Sequence, residues 1–146
     1  MSNAIFSPPM AVNEPVYSYE PGSEEREKLK QAIAELKAEK KDIPMFINGK
    51  EVRTDKLVSM HPPYELKTNL GNYHFGNASH VKDAIKAALG ARKKWAEMSW
   101  EHRASIFLKA AELIAGPYRY KMNAATMLAQ SKNPYQSEIE IGRAHV

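Results

Sequence analysis

Ser79-His80-Val81-Lys82-Asp83-Ala84-Ile85-Lys86-Ala87-Ala88-Leu89-Gly90-Ala91-Arg92-Lys93-Lys94-Trp95-Ala96, followed after Ser99 by Ala104-Ser105-Ile106-Phe107-Leu108-Lys109-Ala110-Ala111-Glu112-Leu113-Ile114, decides the fold class. Val81, Ala84, Ile85, Ala88, Leu89, Trp95 and Ala96 recur at helical spacing, with Lys82, Lys86, Lys93 and Lys94 away from that face, so the first half predicts an amphipathic helix. Ser99 predicts the cap of another helix. Its apolar residues from Ala104 to Ile114 cover more than one stripe, which predicts burial on two sides, and Trp95 and Phe107 read as core rather than as the lining of a ligand pocket. Gly116-Pro117 supplies the stop, with Pro117 fit to begin a further helix running to about Ala129. Asn133-Pro134-Tyr135-Gln136 combines an N-cap, Pro at the first position and Gln three residues on, so the last helix starts there.

Upstream the pattern differs. Residues 1–22 hold Pro8, Pro9, Pro15 and Pro21 without helical or alternating periodicity, which predicts an extended arm with Phe6, Tyr17 and Tyr19 as candidate anchors. Ser23, then Glu24, Glu25 and Glu27, then the stripe Leu29, Ala32, Ile33 and Leu36 predict a helix from Ser23 to Lys41. Met45-Phe46-Ile47 and Lys50-Glu51-Val52 flank Asn48-Gly49, the pair that tolerates the positive φ angles of a type I′ hairpin. Leu57 to Met60 and Leu66 to Phe75, joined over His61-Pro62-Pro63-Tyr64 and bent at Gly71, predict two more strands and a small antiparallel sheet.

Composition narrows the function classes. The 146 residues suffice for one domain with a core, and 43% hydrophobic with 26% charged residues is a globular balance. The net charge of +4 is spread along helices, with short clusters only at Lys40-Lys41 and Arg92-Lys93-Lys94, so no nucleic-acid partner is expected. Zero cysteines exclude from this stretch a disulfide, a Cys-ligated metal and a thiol nucleophile. No run is apolar enough for a membrane span, and residues 1–22 show neither a signal core nor an Arg-rich transit pattern, so the expected compartment is the cytoplasm.

The chain offers no catalytic, cofactor-binding or metal-binding residue by motif. His61, His74, His80, His102 and His145 lack ligand spacing, and the Gly patterns of a dinucleotide site, a phosphate loop or a nucleophile elbow are missing. Glu138 and Glu140, two residues apart, cannot share a helix face, and a solvated first helical turn accounts for them.

The stretch from about Val12 to Glu140 resembles the amino-terminal region of the L-glutamate γ-semialdehyde dehydrogenases, or Δ1-pyrroline-5-carboxylate dehydrogenases, of the aldehyde dehydrogenase superfamily. Asn13-Glu14-Pro15-Val16, Pro21-Gly22-Ser23, Ile43-Pro44, the run Ala84 to Trp95, the run Arg103 to Ala111, and Thr126 to Asn133 followed by Gln136-Ser137-Glu138-Ile139 carry the likeness. Ala129 stands where Gly is usual before Gln-Ser-Lys, and Pro134-Tyr135 replaces a less constrained pair. The resemblance implies an α/β parent enzyme, of which this is a mainly α-helical fragment with an arm and a small antiparallel hairpin or sheet. It implies oxidation of the semialdehyde to glutamate with NAD in proline degradation: a Cys thiolate attacks the aldehyde, hydride passes to nicotinamide, and a Glu activates water. Those residues lie downstream in the family, so none is carried onto this sequence, and the fragment is expected to be inactive and to bind no NAD. Its implied partner is the remainder of the dehydrogenase, itself a homo-oligomer.

The expected organisation is then an arm over residues 1–22 and a partial cofactor-domain segment over 23–140. Ile141-Gly142-Arg143-Ala144-His145-Val146 departs from the family pattern and matches an in-frame translation of a sequencing adapter, so 141–146 is expected to be a non-native tail. The fragment reading predicts apolar surface left open on the two central helices. The rival, a free-standing helical interaction or oligomerisation module, predicts a closed core.

Overall fold

The computed structural model describes residues 7, 9, 10 and 12–143. Phe6, the first of the three candidate anchors, and His145 lie outside them. The described residues of the arm have no regular structure through Glu20, and the arm ends in a turn in which Gly22 takes a φ of 83° and the Ser23 N–H donates to the Glu20 carbonyl at 3.1 Å. Pro at the second and Gly at the third position of such a turn are the residues its φ angles require. Ser23 then caps helix α1, Glu24–Ala38, accepting from the Arg26 N–H.

Helix α1 stops short of the expected Lys41. Glu39 is extended (ψ 109°), and Lys41–Ile43 is strand β1, drawn into a parallel pairing with β5. A lysine-rich helix end gives no sequence cue for a strand whose partner lies thirty residues on. The hairpin of β2 (Met45–Ile47) and β3 (Lys50–Val52) forms as expected, Met45 opposite Val52, with Asn48 at φ 53° and Gly49 at φ 71°.

Strand β4 is Leu57–Met60, but the expected strand from Leu66 shrinks to β5, Gly71–His74. Residues 62–68 instead form turns, with the Glu65 N–H on the Pro62 carbonyl and the Thr68 N–H on the Glu65 carbonyl, both at 3.0 Å. Two consecutive prolines start that turn and cannot donate to a ladder. The sheet is mixed, order β1-β5-β4, with β4 antiparallel and β1 parallel to β5, rather than wholly antiparallel. Gly71 permits it: its φ is 126°, and a Cβ there would lie 1.9 Å from the Lys41 carbonyl oxygen.

The other helices are α2 (Ala78–Glu97), α3 (Trp100–Ala115), α4 (Arg119–Gln130) and α5 (Pro134–Arg143). Asn77 and His80 make a capping box on α2, Ser99 caps α3, and Asn133 and Gln136 exchange reciprocal bonds of 2.8 and 3.0 Å at the start of α5. Pro117 stays in the turn before α4 rather than opening it. Helix α5 reaches Arg143, and Ile141, within the segment expected to be a tail, is buried.

The core lies between α1 and α4, where Leu29, Ala32 and Ala124 meet Tyr19 of the arm, with Ile33, Leu36 and Met127 packed alongside. Burial of α3 on two sides does not occur. Neither α2 nor α3 contains a buried residue; Phe107 is 67% and Leu89 63% exposed, and Trp95 meets Phe107 only edge to face, ring centroids 6.4 Å apart. Among the described residues nothing buries these apolar faces, although Pro9, Met10 and Val12 of the arm line a shallow cavity with Phe107 and Leu108, so the core reading of Trp95 and Phe107 fails here.

Candidate functional site: a buried carboxylate cluster

Glu138 is the largest fully buried side chain among the described residues, not part of a solvated turn. The capping box fixes where α5 begins, which turns Glu138 inward onto α4, while Glu140 pairs with Lys132 at 3.0 Å. From α4, Arg119 and Asn123 stand one helical turn apart on the buried face. Arg119 donates Nε to Glu138 Oε1 at 2.9 Å, and its Nη2 also bonds Oε1 and the Pro15 carbonyl. Asn123 Nδ2 donates to Glu138 Oε2 at 2.5 Å.

The arm supplies the rest. The Tyr17 N–H donates to Oε1 at 3.2 Å and the Tyr19 hydroxyl to Oε2 at 2.5 Å, while Asn123 Nδ2 also reaches the Tyr19 oxygen at 2.9 Å. The Arg119 guanidinium carbon sits 4.1 Å from the Tyr17 ring centroid, a cation–π contact. Of the three expected anchors, Tyr17 and Tyr19 therefore hold the arm.

The protonation states follow. Burial pushes the Glu138 carboxyl up, but the bonds from Arg119, Tyr19, the Tyr17 backbone and Asn123 outweigh it and hold the group below the usual carboxylate range. Burial likewise draws Arg119 down, and Glu138 more than restores it, leaving it raised. Burial first, then the neighbouring Glu138 carboxylate, pushes the Tyr19 phenol well above its ordinary range. An ionised carboxylate surrounded by donors and closed to solvent is a poor proton acceptor. The arrangement is built to join segments rather than to move protons.

A second polar cluster links the sheet to the hairpin. His74 Nε2 lies 3.0 Å from Asp42 Oδ1, its Nδ1 faces the Thr54 backbone N–H at 2.8 Å, and Arg53 pairs with both Asp42 and Glu51. His61 Nδ1 meets the Thr68 carbonyl at 3.0 Å, and His80 serves the α2 cap. Among the described residues no group of three or more His, Asp or Glu could hold a metal ion. A cavity of about 420 Å³ lies between the sheet and α1/α4, lined chiefly by apolar residues including Leu36, Ile43, Val58, Leu70 and Leu128.

The residues do not fit a dinucleotide. A pyrophosphate takes backbone N–H groups at a helix N-terminus that follows a strand, and β5 to α2 is such a connection. There Asn77 Oδ1 already accepts from the Ser79 and His80 N–H groups, and His80 Nδ1 from the Asn77 N–H. No step involving NAD is assigned to this chain's residues.

The Arg119–Glu138 cluster went unrecognised in the sequence because Tyr19 and Glu138 are 119 positions apart. A usable signal was the polar pair Arg119 and Asn123, one turn apart on the same face as Ala124 and Met127.

A model of the aldehyde dehydrogenase family matches residues 50–145. The chain is 45% identical over 138 residues to the Δ1-pyrroline-5-carboxylate dehydrogenase of Agaricus bisporus, covering 94% of this chain and 25% of that protein. Identity is 46% over 140 residues to a probable Δ1-pyrroline-5-carboxylate dehydrogenase of Schizosaccharomyces pombe, covering 95% and 26%. The crystal structure of a Δ-pyrroline-5-carboxylate dehydrogenase from Mycobacterium tuberculosis superposes with a TM-score of 0.91 at 37% identity, over 97% of this chain and 26% of that one. The Mycobacterium tuberculosis enzyme bound with NAD gives 0.89 at 38% identity, over 94% and 26%. The chain thus spans about a quarter of the length of the relatives it matches.

Proposed function

We propose, from the premise that this chain belongs to the aldehyde dehydrogenase family, that it is the amino-terminal part of an NAD-dependent dehydrogenase. That enzyme oxidises L-glutamate γ-semialdehyde to L-glutamate in proline degradation, and this part alone is inactive and binds no NAD. The relatives' names support the substrate, and the NAD-bound Mycobacterium tuberculosis enzyme supports the cofactor. The observation that carries the reading is the pair of exposed apolar faces. Val81, Ile85 and Leu89 recur at every fourth position along α2, and Ile106, Phe107 and Leu108 lie on α3, all outward. Apolar surface on two helices of one chain is the expected imprint of a covering domain, and the relatives are some four times longer.

In this reading residues 1–22 are an arm over the enzyme's exterior, 23–140 a scaffold on the cofactor-domain side, and 141–146 a non-native extension; sequencing the source nucleic acid past Glu140 tests the last. The parent is a homo-oligomer of the cytoplasm, to be checked against the Dictyostelium discoideum relative, whose name places it in mitochondria.

The decisive experiment replaces the matching segment of the Agaricus bisporus enzyme with residues 12–140 and measures semialdehyde-dependent reduction of NAD. Activity within about tenfold of the unmodified enzyme is expected, since the segment contributes scaffold rather than reacting groups. A folded chimera without activity refutes the reading. So does a closed, stoichiometric oligomer of the isolated chain with α2 and α3 buried, which would mark a free-standing interaction module.

A further inference from the structure

We propose that residues 15–19 form a strap across the α4–α5 seam that opens as a unit of its own, with the Tyr19 hydroxyl as its catch. The inference is independent of the dehydrogenase reading. Three hydrogen bonds, beside the Arg119–Tyr17 cation–π contact, tie the strap to the buried charges: the Pro15 carbonyl to Arg119, the Tyr17 N–H to Glu138 at 3.2 Å, and the Tyr19 hydroxyl to Glu138 at 2.5 Å. A fourth hydrogen bond, from Arg26 to the Tyr19 carbonyl at 3.2 Å, ties it to α1. None is a strand or helix bond, so the strap can leave without breaking a ladder.

The backbone at Tyr19 points the same way. Its φ of 53° is left-handed, a conformation a bulky aromatic residue keeps only where its side chain is held. The buried ring and hydroxyl hold it, against Leu29, Ala124, Glu138 and Asn123. Freed of the catch, Tyr19 relaxes toward negative φ, the strap peels back to the Pro21-Gly22 turn, and water reaches the Arg119–Glu138 pair.

Hydrogen exchange on the intact chain, compared with Tyr19→Phe, tests this. In the variant the Tyr17 amide should lose protection about tenfold, the equilibrium equivalent of one hydrogen bond to a charged group, and chymotryptic cleavage at Tyr17–Ser18 should rise in step. Amides within Leu29–Ala32 and Ala124–Leu128 should not change. Unchanged protection at Tyr17, or equal loss in α1, α4 and the arm, overturns the proposal. If Tyr19→Phe does not fold, exchange of the unsubstituted chain in low urea decides: the Tyr17 amide must open below the global transition, and coincidence with it overturns the strap.

Discussion

Glu138→Gln should be among the most damaging single-atom-scale changes available in this chain. The carboxylate accepts from five donor groups on two segments, the arm and α4: Tyr17 N–H, the Tyr19 hydroxyl, Asn123 Nδ2, and Arg119 Nε and Nη2. The glutamine amide keeps the volume but turns an NH2 toward at least one of these donors and removes the charge opposite a guanidinium that is 3% exposed. Leaving one partner of a buried pair uncompensated costs about 3–5 kcal/mol. At about 3 °C per kcal/mol for a chain of this size, the midpoint should fall about 9–15 °C. Against a total stability of about 5–15 kcal/mol, much of the molecule's margin would go.

The assay is urea denaturation followed by circular dichroism, for Glu138→Gln and for the cycle of Arg119→Met, Glu138→Leu and the double variant Arg119→Met/Glu138→Leu. Replacing both charges by apolar groups removes the uncompensated charge, so the double variant should cost less than the two single changes together, by about 2 kcal/mol or more. A loss under about 1 kcal/mol in Glu138→Gln, or strict additivity in the cycle, would falsify the claim that the pair is fully desolvated and mutually dependent.

Three other outcomes are expected of the same structure. Because Glu138 titrates below its unfolded value, its contribution is present above the ordinary carboxylate range and is lost as pH falls through the lower folded value; Tyr19, raised when folded, contributes below about pH 10 and loses that contribution as pH climbs. In an absorbance titration two of the seven tyrosines, Tyr19 and Tyr120, should therefore ionise late, and Glu138→Gln should bring Tyr19 forward; simultaneous ionisation of all seven in the folded chain would refute the assignment. Gly71→Ala places a methyl against the Lys41 carbonyl at a positive φ and should cost about 3 kcal/mol or more, with amide protection lost first in β1; a thermal midpoint within about 3 °C of the original would contradict the close approach. Leu89→Lys, on the open face of α2, should change the stability of the isolated chain by no more than about 0.5 kcal/mol yet abolish activity in the Agaricus bisporus chimera. Full activity in that chimera would show that the face stays uncovered.

Local chemistry was legible from the sequence. Ser23, Asn133 with Gln136, and Asn48-Gly49 each determine a cap or turn within four residues, so the helix starts and the hairpin could be read without knowing what they pack against. The repeat of Val81, Ile85 and Leu89 gave an amphipathic helix for the same reason: periodicity is a property of the segment. The family likeness rested on such runs as well.

Tertiary structure alone decided which face met which. Lys41 reads as the end of a charged helix, yet Lys41–Ile43 becomes a strand because Gly71, far along the chain, accepts a parallel neighbour at a distance no side chain would allow. The broad apolar surface of α3 reads as doubly buried and is open, since periodicity records that a face is apolar and not whether the covering residues belong to the same chain. Glu138 reads as a solvated acid and is sealed. A carboxylate tolerates burial only where enough donors converge on it, and here they come from Tyr17, Tyr19, Arg119 and Asn123, which no local pattern brings together.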